Sequence, residues 1–145
     1  LTAECYDSVR TDTGKHEYYT YGWSGLISVR ERADEGIRCY EAIKKLHDRY
    51  PKARITVIGY SHGGNIALNM ACAHTDDQSW QIDTLILLGT PIQRENAHCV
   101  CSPLFKQVYN CYSHEDRVQR LDCFSVKRFF SRRNFKSCSR YTIPG

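Results

Sequence analysis

Arg54-Ile-Thr-Val-Ile-Gly-Tyr-Ser-His-Gly-Gly-Asn-Ile-Ala-Leu-Asn-Met70 is the stretch on which the reading of the whole chain turns. It begins with a short apolar run, Ile55, Val57 and Ile58. Gly59-Tyr60-Ser61-His62-Gly63 follows, and then Ile66, Ala67, Met70 and Ala71 recur at helical spacing. The pattern is strand, tight turn, helix, with a serine at the apex. A turn this sharp brings neighbouring backbone close together. Gly59 and Gly63 are expected where a Cβ would clash, and Gly64 is expected to leave open space at the start of the helix. The helix N-terminus would direct N–H groups at whatever lies over Ser61. A strand, then G-x-S-x-G, then a helix is the context in which that motif presents a reactive serine. A glycine-rich turn with an idle serine is the plainer alternative.

Upstream of this stretch, Tyr18-Tyr-Thr-Tyr21 is rich in aromatic and β-branched residues and predicts a strand. Gly22-Trp23-Ser24-Gly25 reads as a loop. Residues 30–50 predict a helix, with Ala33, Ile37, Tyr40, Ala42 or Ile43, and Leu46 or His47 on one face, and Pro51 as its stop. Downstream, Thr84-Leu-Ile-Leu-Leu88 suits a strand buried on both faces, as in a parallel sheet. A long connection over 92–106 has room for a short helix, and Gln107–Tyr112 predicts another strand. Alternating strands and helices imply a mostly parallel sheet with helices on both faces. Ligands bind beyond the carboxyl ends of such strands. Trp23, Ser61, Thr90 and Asp116 each lie just past an expected strand end, which places them on one edge.

At 145 residues the chain has the length of one domain. Its 41% hydrophobic and 25% charged residues are ordinary for a globular protein, and no apolar run is long enough to span a membrane. The net charge of +4 comes from one end. Lys127, Arg128, Arg132, Arg133, Lys136 and Arg140 fall after Phe124 with no acidic residue among them. The chain divides on this basis into a core at 1–123 and a basic aromatic segment at 124–145. That segment is a solvated terminus, or docks on anionic lipid through residues 127–140 with Phe129 and Phe130 as apolar wedges. Nucleic-acid binding is not expected.

Eight cysteines are irregularly spaced. Cys39, Cys72 and Cys111 fall on expected helices and a strand and read as small buried residues. Cys5, Cys99, Cys101, Cys123 and Cys138 fall in loops. His98, Cys99 and Cys101 could ligate a metal, but no second pair accompanies them. Reduced thiols in a cytoplasmic protein are the expectation, with a secreted, disulfide-bonded protein as the alternative.

A serine hydroxyl becomes nucleophilic when an imidazole takes its proton, and a carboxylate usually holds that imidazole. Asp116, four residues past Tyr112, is the carboxylate candidate, with Glu115 beside it and Asp122 more distant. In these pieces the chain resembles an α/β-hydrolase of the lipase and esterase type. The resemblance rests on Tyr19-Thr-Tyr-Gly-Trp-Ser-Gly25, Gly59-Tyr-Ser-His-Gly-Gly64, Leu87-Leu-Gly-Thr-Pro91 and Tyr112-Ser-His-Glu-Asp-Arg-Val118, over roughly residues 18–122. It implies Ser61 as nucleophile, Asp116 as acid and the backbone N–H of His62 as oxyanion donor. Trp23, Tyr60 and Thr90 are then substrate-binding candidates, and the substrate is a small ester or a lipid. No cofactor and no metal are needed.

Two parts of the family pattern are not found. The catalytic histidine should follow the acid, yet the six histidines (16, 47, 62, 74, 98 and 114) all precede Asp116. No His-Gly loop supplies a second oxyanion donor, and few residues precede the first expected strand. One explanation covers both: the sequence is the middle of a longer hydrolase, without its first strands and its C-terminal end. Otherwise His98 or His114 serves as the base, or the chain is a catalytically inactive binding or scaffold protein on the same fold.

Overall fold

The computed structural model describes residues 14–25, 28–75, 79–112 and 143–144. Helix α1 runs Val29–Arg49. Strand β1 (Thr56–Tyr60) leads directly into helix α2 (His62–Asn69), which tightens into a 3₁₀ turn at Met70–Cys72. Strand β2 (Ile82–Leu88), a 3₁₀ segment (Ala97–Cys101) and strand β3 (Phe105–Tyr112) follow, and Ile143–Pro144 forms a short strand β4. The strands lie in the order β1-β2-β3-β4, and every pairing is parallel. This is the α/β architecture expected from the alternation.

The register aligns the carboxyl ends. Tyr60 pairs with Leu88, Leu88 with Cys111, and Cys111 with Ile143. Ile82, Leu85 and Leu87 of β2 are fully buried, together with Phe105 and Val108 of β3. They pack against Ile66, Leu68 and Met70 from the α2 segment and Val100 from the 3₁₀ segment. On the face opposite Leu85 and Leu87, Ile82 is buried at the start of β2, and Thr84, Ile86 and Leu88 are only half-buried. The near-continuous apolar run therefore fills one face completely and the other in part.

Helix α1 is capped as its composition dictates. Ser28 accepts the N–H of Glu31 at 3.3 Å, Glu31 lies in the first turn, and His47 and Arg49 lie in the last. Its buried face differs from the periodicity forecast. Arg32, Glu35, Gly36, Cys39 and Tyr40 are inside, whereas Ile37 is 44% exposed and Ala42 faces solvent. The shift follows from close packing between helices at Gly36. A Cβ there would lie 2.5 Å from Cβ of Asn69 and 2.9 Å from its carbonyl carbon. The helix must present its glycine to α2, and Arg32 and Glu35 are carried inward with it.

The strand expected at Tyr18–Tyr21 does not form. This stretch is irregular, and Tyr18 and Tyr19 are exposed. Tyr21 is committed to α1 instead. Its hydroxyl donates to Oε2 of Glu35 at 2.7 Å, while Arg38 donates to Oε1 at 2.6 Å. Burial, and then the bond to Glu35, raises the Tyr21 phenol well above its ordinary value.

Two expectations about thiols also change. Cys39 is buried and Cys111 half-buried, but Cys72 is exposed. The switch from α to 3₁₀ winding at Met70 turns Met70 inward and Cys72 outward. Cys99, expected in a loop, is 3% exposed.

Candidate active site

Ser61 stands between the last residue of β1 and the first of α2 with φ 51° and ψ −130°. Among the described residues it is the one non-glycine with positive φ. An L-residue in this region carries backbone strain on the order of 1–3 kcal/mol, held only where the surroundings over-determine it. The surroundings are visible. The Ser61 N–H donates to the carbonyl of Leu88 at 2.9 Å, and its own carbonyl accepts from Gly64 at 3.0 Å. The Gly89 N–H continues the ladder to the Cys111 carbonyl at 2.8 Å.

Glycine roles in the turn differ from the expectation at two positions, Gly63 and Gly64, which exchange their roles. A Cβ on Gly59 would lie 2.6 Å from Cα of Gly64, so these two glycines form the close contact between strand and helix. A Cβ on Gly64 would also collide with the Thr90 side chain. Gly63, expected to be a tight position, has open space where its Cβ would be. The steric requirement lies at 59 and 64, because the helix turns its third residue, not its second, back onto the strand.

The sequence candidates are distributed as follows. Ser61 and His62 are half-buried and adjacent, and Tyr60 is 75% exposed beside them. Thr90 is 2% exposed, with its side chain packed on Gly64. Trp23, argued to lie past a strand end, follows an irregular stretch and packs against the core. Asp116, Glu115, His114, Asp122 and the basic residues 127–140 lie outside the described residues. Tyr112, the last described residue before them, ends β3 on the same edge as Ser61.

His98 lines a cavity with Ala71 and Cys72, at the end of the helical segment that starts at His62. Ten residues at 1.5 Å rise separate the two ends by ~15 Å. His47 stacks on Trp80 and His74 meets it edge-on, with His74 Nδ1 3.3 Å from the Tyr40 hydroxyl. These imidazoles are occupied in packing around a buried tryptophan.

The turn after β2 is tied to the Ser61 helix by amides that lie outside the G-x-S-x-G motif. Asn65 Nδ2 donates to the Pro91 carbonyl at 3.1 Å, and Asn96 Nδ2 donates to Asn65 Oδ1 at 3.1 Å. All three elements of this bridge are buried. An asparagine on an otherwise apolar helix face was the available signal, since a buried amide demands partners.

Among the described residues no three His, Cys, Asp or Glu side chains are grouped to hold a metal ion, and no helix is long and apolar enough to cross a membrane. Comparison with curated proteins and with solved structures finds no match. A family model described as Cutinase matches residues 7–130, which include Ser61, both helices and the first three strands. The chain belongs to the cutinase family, a family of carboxylic-ester hydrolases with the α/β-hydrolase fold.

Proposed function

We propose that the chain is a serine esterase in which Ser61 forms an acyl-enzyme with a small carboxylic ester or a lipid acyl group. The backbone of Ser61 carries this reading. A strained φ of 51°, held by ladder hydrogen bonds and a glycine–glycine contact, is a costly way to position an idle hydroxyl. The exposed Tyr60 leaves the neighbourhood of that hydroxyl open to a solute.

In the proposed reaction the Ser61 Oγ attacks the ester carbonyl carbon while a histidine takes its proton. The carbonyl oxygen becomes an oxyanion beside the His62 N–H at the helix start. Collapse expels the alcohol, which receives the proton, and water then repeats the sequence on the acyl-enzyme. Asp116 orients the histidine. His62 is assigned here to the oxyanion, His16 stacks on Tyr18, His47 and His74 pack around Trp80, and His98 lines the cavity beside Cys72, so His114, two residues before Asp116, is the first to test.

The test is labelling with a fluorophosphonate, which traps activated serines. Labelling of the wild type and its loss in Ser61→Ala, with an unchanged circular dichroism spectrum, is the expected outcome. A wild-type protein that folds and hydrolyses no ester and never labels overturns the reading.

A further inference from the structure

Cys72 ends the 3₁₀ turn that follows α2, and Cys99 lies within the 3₁₀ segment 97–101, and the two segments pack together. Both cysteines line an open cavity of about 290 Å³ with Ala71, His98, Cys101 and Ser102. Cys72 is exposed and Cys99 is 3% exposed. The two thiols thus face the same space from two segments that are packed together. On its other side the Cys99 sulfur lies 3.8 Å from Nε2 of His98. The arrangement is one thiol that a solute can touch, a second thiol behind it, and an imidazole beside the second.

We propose that Cys72 and Cys99 are a reversible thiol–disulfide pair, oxidised by low-molecular-weight disulfides of the glutathione type that enter this cavity. The cavity is open and Cys72 on its wall is exposed, so such a reagent reaches that thiol from solvent. The Cys72 thiol loses its proton to solvent, and the thiolate attacks one sulfur of RS–SR. An S–S bond forms on Cys72, and RS⁻ leaves and is protonated. The Cys99 thiol then gives its proton to His98 Nε2 while its sulfur attacks Sγ of Cys72. The Cys72–Cys99 bond forms, and the second RS⁻ leaves and collects a proton. In sum, two protein thiols and one RS–SR become one protein disulfide and two RSH.

The order of the steps follows from the environments. Burial, with Cys72 adding to it, pushes the Cys99 thiol up to about 12. Cys99 therefore stays protonated until an electrophilic sulfur is attached to its neighbour and His98 accepts its proton. Chelation is the other use of such a cluster, but no three described ligand side chains are grouped for it. The proposal is independent of the chemistry at Ser61, which lies at the far end of the same helical segment.

The experiment treats the native full-length chain with oxidised glutathione, alkylates the remaining thiols and maps the cysteines by digestion and mass spectrometry. A Cys72–Cys99 cross-linked peptide that dithiothreitol removes is expected, and it should survive Cys101→Ser. Oxidation should raise the melting temperature by roughly 5–10 °C, because the bond closes a loop of more than twenty residues. Cys99→Ser should stop at a persistent glutathione adduct on Cys72, and Cys72→Ser should give neither cross-link nor adduct at Cys99. A persistent Cys72 adduct in the wild type overturns the proposal. So does a cross-link that joins Cys101 to either partner, or an absence of any reaction at Cys72.

Discussion

Gly64 and Thr90 share one volume: a Cβ on Gly64 would lie 2.7 Å from Cγ2 of Thr90 and 2.8 Å from its Cβ. The turn after β2 thus presses on the first turn of the helix that follows Ser61. Gly64→Ala should cost about 1–3 kcal/mol by overpacking. Thr90→Ala placed in the same chain should recover part of that loss. Gly63→Ala, two atoms' breadth away but facing open space, should change stability by less than about 1 kcal/mol in either direction. Urea titration of the three variants measures this, and equal penalties at 63 and 64 would remove the assignment.

Strain at Ser61 is separable from its chemistry. Glycine adopts φ near 51° without steric cost, whereas alanine retains the Cβ that makes it strained. Both variants lack the hydroxyl. Ser61→Gly should therefore be more stable than Ser61→Ala by about 1 kcal/mol, the strain relieved less the entropy glycine adds to the unfolded chain. If Ser61→Gly is the less stable of the two, the backbone there is not under load.

If Asp116 is the acid proposed above, Asp116→Asn should lower kcat toward an ester by a factor on the order of 10³–10⁴ and leave KM nearly unchanged, since a triad acid acts by orienting a histidine. His114→Ala, assayed in parallel, assigns the base. A loss of comparable size puts it on the loop after β3, and full activity sends it to another histidine.

Cys39 supplies a pH signature. Burial, then the nearby Glu35 charge, pushes its thiol up from 9.0 to about 11. The folded state holds this proton more tightly than the unfolded state does. The associated stability is complete below about pH 9 and is lost as the pH rises toward 11. The melting temperature of the wild type should fall more steeply across that window than that of Cys39→Ala. Parallel slopes would mean the thiol is not desolvated in solution.

The elements around Ser61 were legible because each carries a local signal. β1 carries an apolar pair followed by Gly59, α2 repeats at 3.6 residues, and Leu85–Leu88 is an unbroken apolar run. What escaped was set by partners distant in sequence. Tyr18–Tyr21 has strand composition, but Tyr21 finds a carboxylate on α1 instead of a neighbouring strand. Ile37 matches the helical period, yet the close approach at Gly36 turns it to solvent. Within the motif, periodicity could not tell Gly63 from Gly64, because only the position of Thr90 distinguishes them. His98 was a candidate base from its place on the loop after Gly89-Thr90-Pro91, and only the packing of that loop shows it lining a cavity with Cys72.

Gly36 of α1 fits against the last residue of α2. With Asn69 pressed on it at one end and Gly59 and Thr90 at the other, α2 is gripped along its whole length. A helix so confined has little room to recoil when charge develops over its first turn. The dipoles facing Ser61 then need almost no rearrangement during a reaction, since their alignment was completed when the chain folded. Slow amide exchange across Asn65–Asn69, matching that of β2, would be the equilibrium trace of this rigidity.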